Sequence, residues 1–306
     1  MPSERTQVRL GIIGFGEVGQ GIGTGLRSEG LDRVAAYDIG AFDGPFSGAK
    51  QACARESGIA LLGSPDELAA NADLIIIAVP AANSDEAAAS IADAIEARHL
   101  YFDLVSTTPA VKVRQAEPLK AKGTLIADGG IMTSPLHDGH RIIIKASGPG
   151  AARAHDLLTP WGMRIAVVSD RLGAATGIKI LRSVVMKGLE ALLHECAVGA
   201  ERYGIRNEVL ETISEFMDSR PFAETAKFLI RSGMIHAGRR SGEAEMAAEA
   251  LEEAGIEPVM TDATTRMLAR VAELGMKEHF RNVVPDDWHE AVAAVDAALR
   301  TRRGIG

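Results

Sequence analysis

Along the first half of the chain, short and nearly unbroken apolar runs alternate with longer segments that mix alanine with charged residues. The runs are VRLGIIGF (8–15), RVAAYD (33–38), DLIIIAVP (73–80), LYFDLV (100–105), GTLIAD (123–128), RIIIKAS (141–147) and MRIAVVS (163–169). Apolar residues at consecutive rather than alternate positions are what a strand covered on both faces requires, so each run predicts a strand of a parallel sheet. The segments between them predict helices. In SDEAAASIADAIEA (84–97), Ser84 and Asp85 stand where a helix cap is expected. Strand and helix repeated in this order predict a doubly wound α/β domain. After Ser169 the pattern becomes helix upon helix, so the expected organisation is an α/β domain over 1–170 and an all-α domain over 171–306.

Composition narrows the partners. The chain has 306 residues, of which 46% are hydrophobic, enough for a sizeable core and a length that favours two domains. A net charge of -8 disfavours a nucleic-acid backbone or an anionic membrane surface as partner. Cys53 and Cys196 form no metal-ligand spacing and no disulfide framework. The longest apolar run, LIIIAVPAA (74–82), is far short of the ~20 residues a membrane helix needs, and no apolar leader precedes the first strand. The expected location is the cytoplasm. The basic C-terminal RTRRGIG is expected to fray.

The first candidate chemistry lies in GIIGFGEVGQGIGTGL. Gly14, Gly16 and Gly19 form Gly-x-Gly-x-x-Gly, which closes the first predicted strand and opens a helix. The next strand ends in Asp38, about twenty residues beyond the last glycine, as in a dinucleotide-binding βαβ unit. Gly14 would allow the tight turn, Gly16 the approach of a pyrophosphate, and Gly19 close packing of helix on strand, while helix N-terminal amides hold the phosphates. Asp38 would accept from the adenosine ribose hydroxyls and repel a 2′-phosphate. No Arg or Lys follows it in DIGAFDG, which favours NAD without excluding NADP. Gly21, Gly23 and Gly25, inside the helix, are expected at close-packing positions.

The second candidate is Lys179. GAATGIKILRSVVMKGLEALLHE (173–195) predicts a long helix on which Lys179, Arg182, Ser183, Lys187, Glu190 and His194 share one stripe. That stripe is either a solvated face or the wall of a cleft beyond the carboxyl ends of the strands. A lysine of ordinary pKa, ~10.4, is too basic to act as a base near neutrality unless burial or a nearby cation lowers it. His137, Asp138 and His140 lack a further ligand at metal spacing, and no metal is assigned. His194 and Glu195 lack the second histidine of a zinc protease, and no Gly-x-Ser-x-Gly elbow exists. His236, Arg239 and Arg240 form a cationic cluster that either meets an anionic substrate or faces water.

Taken together these stretches resemble a known family. LGIIGFGEVGQGIGTGLRSEG resembles the opening fingerprint of the β-hydroxyacid dehydrogenases, which include 6-phosphogluconate and 3-hydroxyisobutyrate dehydrogenases. ADLIIIAVP, YFDLVSTTP and IADGGIMTSP follow in that family's order, and LGAATGIKILRS resembles its Gly-x-x-x-x-x-Lys segment. The region from KGLEALLHECAVGAERYGI onward is similar to a subgroup with a short 6-phosphogluconate-dehydrogenase-like helical domain.

The resemblance implies a Rossmann-like domain followed by an all-α domain that binds substrate and forms a homodimer. It implies reversible oxidation of a small, anionic hydroxy acid by NAD(P), with Lys179 as general acid/base. Its cofactor site would comprise Gly14, Phe15, Gly16, Glu17, Val18, Gly19, Asp38, Val79, Pro80 and Ser106. Its substrate site would comprise Ser106, Thr133, Ser134 and Ser183. Two departures bear on the substrate: Met132, Thr133 and Ser134 replace the family's Ser-Gly-Gly, and Ser183 replaces an asparagine. The alternatives are oxidative decarboxylation of a β-hydroxy acid, imine reduction, against which a lysine at this place argues, and a non-catalytic dinucleotide sensor.

Overall fold

The computed structural model describes residues 6–302. The last residues of the basic C-terminal segment therefore lie outside the described residues. The chain divides into two compact units, with Val184 ending the first and Val185 beginning the second.

The first unit is an α/β domain. Its strands are β1 (Leu10–Ile13), β2 (Val34–Tyr37), β3 (Ala60–Leu61), β4 (Leu74–Ile77), β5 (Leu100–Asp103), β6 (Leu125–Ile131), β7 (Ile143–Ser147) and β8 (Arg164–Ser169). They form one sheet in the order β3-β2-β1-β4-β5-β6-β7-β8. Between them run α1 (Glu17–Ser28), α2 (Ser47–Ser57), α3 (Pro65–Asn71), α4 (Ser84–Ala92), α5 (Pro109–Lys120), the short α6 (Pro135–Asp138) and α7 (Ala151–Leu158). β8 leads into the 30-residue α8 (Ala174–Tyr203).

The apolar runs form these strands because both faces of the sheet are covered. Successive residues of β4 show it: Leu74 and Ile76 enter the core that also holds Ile12, Ile22 and Leu26, whereas Ile75 and Ile77 enter a second core with Leu68, Ile91 and Leu119. Consecutive side chains of a strand point to opposite faces, so an unbroken apolar run fills two cores at once. The strand order reverses at β1, between β2 and β4, and such a switch point opens a crevice beyond the carboxyl ends of the strands.

Three features depart from the sequence reading. β7 runs antiparallel to β6, because the segment between Ile131 and Ile143 holds only a four-residue helix and a 3-10 turn, too little for a parallel crossover. β3, two residues long, is too short to leave a periodic signal. Ser84 and Asp85 do not cap α4 but lie in its first turn, where Ser84 Oγ accepts from Gln115 Nε2 (3.2 Å) and Asp85 pairs with Arg114 (2.7 Å). A 3-10 turn over Ala81–Asn83 starts that helix instead.

The second unit consists of the rest of α8 with α9 (Arg206–Asp218), α10 (Phe222–Glu253), α11 (Val259–Ala272), the short α12 (Met276–His279) and α13 (Trp288–Arg302). Met234, Met276 and Ala291 form a small core, flanked by partly buried Ile230, Phe280 and Val295. Glu195 of α8 supplies the cap that α11 lacks. One carboxylate oxygen accepts from Met260 N (2.8 Å), and the other from Thr261 N (2.8 Å) and Thr261 Oγ1 (2.6 Å). Burial pushes the Glu195 carboxyl up, but these donors outweigh it and hold the group below the usual glutamate value. Glu195→Ala is expected to destabilise this unit by about 1–2 kcal/mol at neutral pH in denaturant titration. A depressed carboxyl stabilises above its unfolded pKa and stops doing so as pH falls through the folded one, so the difference between variant and parent should vanish in acid.

Candidate dinucleotide and proton-transfer site

The glycine turn is built by close approach. Gly14 has φ +93°, and a Cβ there would stand 2.4 Å from the carbonyl oxygen of Ala78 on the neighbouring strand's exit. A Cβ on Gly19 would stand 2.0 Å from the Gly14 carbonyl oxygen, so α1 sits on the turn with no room for a side chain. Gly16, the residue before α1, has nothing within 4 Å of the same position. The turn is closed on its protein side and open where an anion would meet the helix amides. Further along α1, Gly25 and Gly23 pack closely as expected, Gly25 against the ring of buried His140, whereas Gly21 makes only ordinary contacts.

A cavity of about 340 Å³ adjoins this turn, lined by Gly14, Gly16, Asp38, Val79 and Pro80 among others. Asp38, just beyond β2, is fixed there: its Oδ2 accepts from Phe15 N (2.8 Å), and its Oδ1 from Gly40 N (2.9 Å) and Lys50 Nζ (2.5 Å). Burial raises the Asp38 carboxyl, yet Lys50 and the two amides together hold it below the usual aspartate value. Phe15 thus takes part through its amide while its ring is fully buried in the core; Glu17 is exposed on α1 and Val18 packs on that core. Lys50 also lines the cavity. The sequence reading missed it because it is twelve residues beyond Asp38 and reaches back from the first turn of α2.

A second set of groups gathers at the carboxyl ends of the central strands, where Ile13, Ile77, Asp103 and Asp128 stand in one register row. Asp128 is completely buried. Its Oδ2 accepts from Thr176 N (2.9 Å) and its Oδ1 from Thr176 Oγ1 (2.5 Å), while Ser147 Oγ donates to it (3.2 Å) and accepts from Ala175 N (2.9 Å). Side chains from β6 and β7 therefore satisfy the free amides that open α8. Lys112 of α5, also buried, pairs with Asp103 (2.6 Å) and stands 3.9 Å from Asp128.

One turn beyond Thr176, Lys179 is held over this cluster. Its Nζ donates to Ser106 Oγ at 2.5 Å, which joins α8 to the loop after β5. Burial, then the like charge of Lys112, lower its pKa, against the opposing pull of Asp128. Arg182, on the same stripe of α8, donates to the Met132 carbonyl (3.3 Å), and the cation that lowers the Lys179 pKa is Lys112.

Two of the three remaining substrate candidates are tied to backbone. Thr133 Oγ1 accepts from Ile143 N (3.1 Å), Ser183 Oγ donates to the Lys179 carbonyl (3.0 Å), and Ser134 precedes α6 with no side-chain cap bond. The structure thus brings Lys179, Ser106 and Ser183 together, with Thr133 and Ser134 beyond the end of β6. In the helical unit Arg239 pairs with Glu243 and Arg240 donates to Ser232 (3.0 Å), so both of these cations have partners. Among the described residues no helix is long and apolar enough to cross a membrane.

Comparison with known proteins agrees with this geometry. Residues 9–107 match the family described as NADP oxidoreductase coenzyme F420-dependent, and residues 200–271 match a domain of unknown function (DUF1932). The 2-(hydroxymethyl)glutarate dehydrogenase of Eubacterium barkeri is 23% identical over 301 residues, 92% of this chain and 95% of that protein. A conserved protein of unknown function, described as similar in structure to 3-hydroxyacid dehydrogenases, is 29% identical with a TM-score of 0.61 and covers 88% of this chain and 99% of its own. An imine reductase from Myxococcus stipitatus in complex with NADP+ shares the fold, with a TM-score of 0.70 at 18% identity over 87% of this chain and 94% of its own. The glycine turn, the switch-point cavity and the sheet order are those of a Rossmann-type dinucleotide-binding domain, in keeping with the match of residues 9–107 to an oxidoreductase family. Within that class, the chain is similar along most of its length to the β-hydroxyacid dehydrogenases.

The last two glycines of the motif separate binding from folding. Gly19→Ala is expected to cost at least about 1–3 kcal/mol of stability in urea denaturation, since backbone must move. Gly16→Ala should leave the unfolding midpoint in place and weaken NADH binding by fluorescence titration, because its Cβ fills only the open side of the turn.

Proposed function

We propose that the chain interconverts a 3-hydroxy acid and its carbonyl, with Lys179 as the general acid/base. The observation that carries this reading is the half-buried Lys179 ammonium, bonded to Ser106 Oγ at 2.5 Å on a helix whose first turn is capped by buried Asp128. The nicotinamide cofactor supplies or accepts the hydride. In the oxidising direction neutral Lys179 takes the hydroxyl proton, and in the reducing direction its ammonium returns one. Ser106 Oγ, which accepts from Lys179, keeps its own proton to offer to the substrate oxygen. Arg182 and Lys179 together favour an anionic substrate. Gly14, Gly16 and Gly19 with Asp38, Val79 and Pro80 form the proposed seat of the cofactor, and Asp38 supports NAD as the preferred form.

The helical part of the chain, taken from residue 171 onward, is the proposed substrate and dimerisation domain. Leu181 (70% exposed), Val184 (67%) and Val185 (52%) leave an apolar strip of α8 uncovered in the single chain, which supports a homodimer. The proposed location is the cytoplasm.

Lys179→Ala should lower turnover on the correct hydroxy acid by about 10²–10⁴-fold while NADH still binds. Full activity in that variant would sink the mechanism. Because the Lys179 pKa is lowered, oxidation should rise with pH at a value below that of an ordinary lysine, and reduction should fall with pH over the same range. Rates measured in both directions across pH test this; profiles that do not mirror one another argue for a different proton carrier.

A further inference from the structure

Lys50 changes the meaning of Asp38. An aspartate at this place disfavours NADP by placing a negative charge where the 2′-phosphate would come. Here that charge is not alone: Lys50 Nζ is 2.5 Å from Asp38 Oδ1, and the two side chains are only 17% and 13% exposed. Both line the same cavity, with Ile39 and Gly40 between them in the chain. A Cβ on Gly40 would be 3.4 Å from Lys50 Nζ and 3.5 Å from Asp38 Oδ1, so backbone, cation and carboxylate meet at one point. The ammonium approaches from α2, whose first turn carries no acidic residue and whose N-terminus has no side-chain cap. The partial positive charge of those amides adds to that of the lysine.

We infer that Lys50 is a specificity-determining residue that admits the 2′-phosphate of NADP to this cavity as well as the ribose hydroxyls of NAD. The inference rests on the reading that the cavity receives the adenosine half of the cofactor. Lys50 cancels the charge of Asp38 in the absence of phosphate, and on binding it transfers one donor from the carboxylate to a phosphate oxygen. Asp38 retains the amides of Phe15 and Gly40, so the turn keeps its shape when the lysine is shared. NAD stays the preferred form, because Asp38 still accepts from the ribose and still opposes a second negative group. NADP is accepted because the lysine offsets that opposition.

The test uses adenosine fragments, which need no substrate and no turnover. The whole chain is titrated calorimetrically with 5′-AMP and with 2′,5′-ADP, and NADH and NADPH follow as full-length ligands. The parent protein is expected to bind both fragments. Lys50→Met should weaken 2′,5′-ADP by about 10- to 100-fold, the value of a lost charge-assisted hydrogen bond, with 5′-AMP unchanged or tighter. Lys50→Arg should retain 2′,5′-ADP binding, and an unchanged melting temperature in both variants shows that the fold is intact. Equal loss of the two fragments in Lys50→Met overturns the assignment, as does a parent protein that binds 5′-AMP but not 2′,5′-ADP. If neither 5′-AMP nor NADH binds the parent, the adenosine reading of the cavity fails, and the role of Lys50 fails with it.

Discussion

The buried carboxylate of Asp128 is the group on which the candidate chemistry depends. A helix that starts inside a protein leaves amides without partners, and such groups must be satisfied or they cost about 1–3 kcal/mol each. Asp128 and Ser147 take the amides of Thr176 and Ala175, which fixes both the origin and the rotation of α8. Rotation matters because Lys179 follows Thr176 by three residues, nearly one helical turn, and must therefore lie on the same side. Fixing the cap thus aims the lysine. Gly130, on the strand that carries Asp128, completes the arrangement: a Cβ there would meet the Ala175 carbonyl oxygen at 2.9 Å and Lys179 Cβ at 3.3 Å.

A buried anion needs a counter-charge, and Lys112 provides it at the expense of burying a third charged group. Desolvation of such groups is large, and pairs of this kind rarely stabilise a fold more than apolar residues of the same size would. Burial raises the Asp103 carboxyl, with Lys112 opposing that rise, while Lys112 in turn lowers the pKa of Lys179. The cluster is better explained by its electrostatic effect on Lys179 than by any contribution to stability. Its position follows from strand register, since Asp103 and Asp128 are partners across β5 and β6 at the carboxyl edge of the sheet.

Much of this was legible in the chain itself. Seven of the strands came from unbroken apolar runs, because a two-sided core demands consecutive apolar residues. The glycine motif was legible for a similar reason: Gly14 and Gly19 have no substitute where a Cβ would strike backbone. Asp38 stood out as the polar end of an apolar strand, and Lys179 as a charge near the start of a mostly apolar helix, in a segment that resembles the family's Gly-x-x-x-x-x-Lys. What stayed hidden were partners brought in from afar. Lys50 lies on a helix whose direction no local pattern states, and Lys112 and Asp128 look like ordinary charges until the sheet places them side by side. The antiparallel turn of β7 was hidden too, because residue pattern reports burial and not strand direction.

The sequence by itself therefore determined the class of fold and the turn that can hold a pyrophosphate, since each follows from local sterics or periodicity, and it marked Lys179 as the candidate proton carrier through its resemblance to a known family. Only the tertiary structure decided which charges surround those groups. Whether Asp38 stands alone or beside Lys50, and whether Lys179 is an ordinary lysine or one weakened by burial and by Lys112, depends on distances between residues far apart in the chain. Electrostatic interaction falls off with separation in space and is insensitive to separation in sequence.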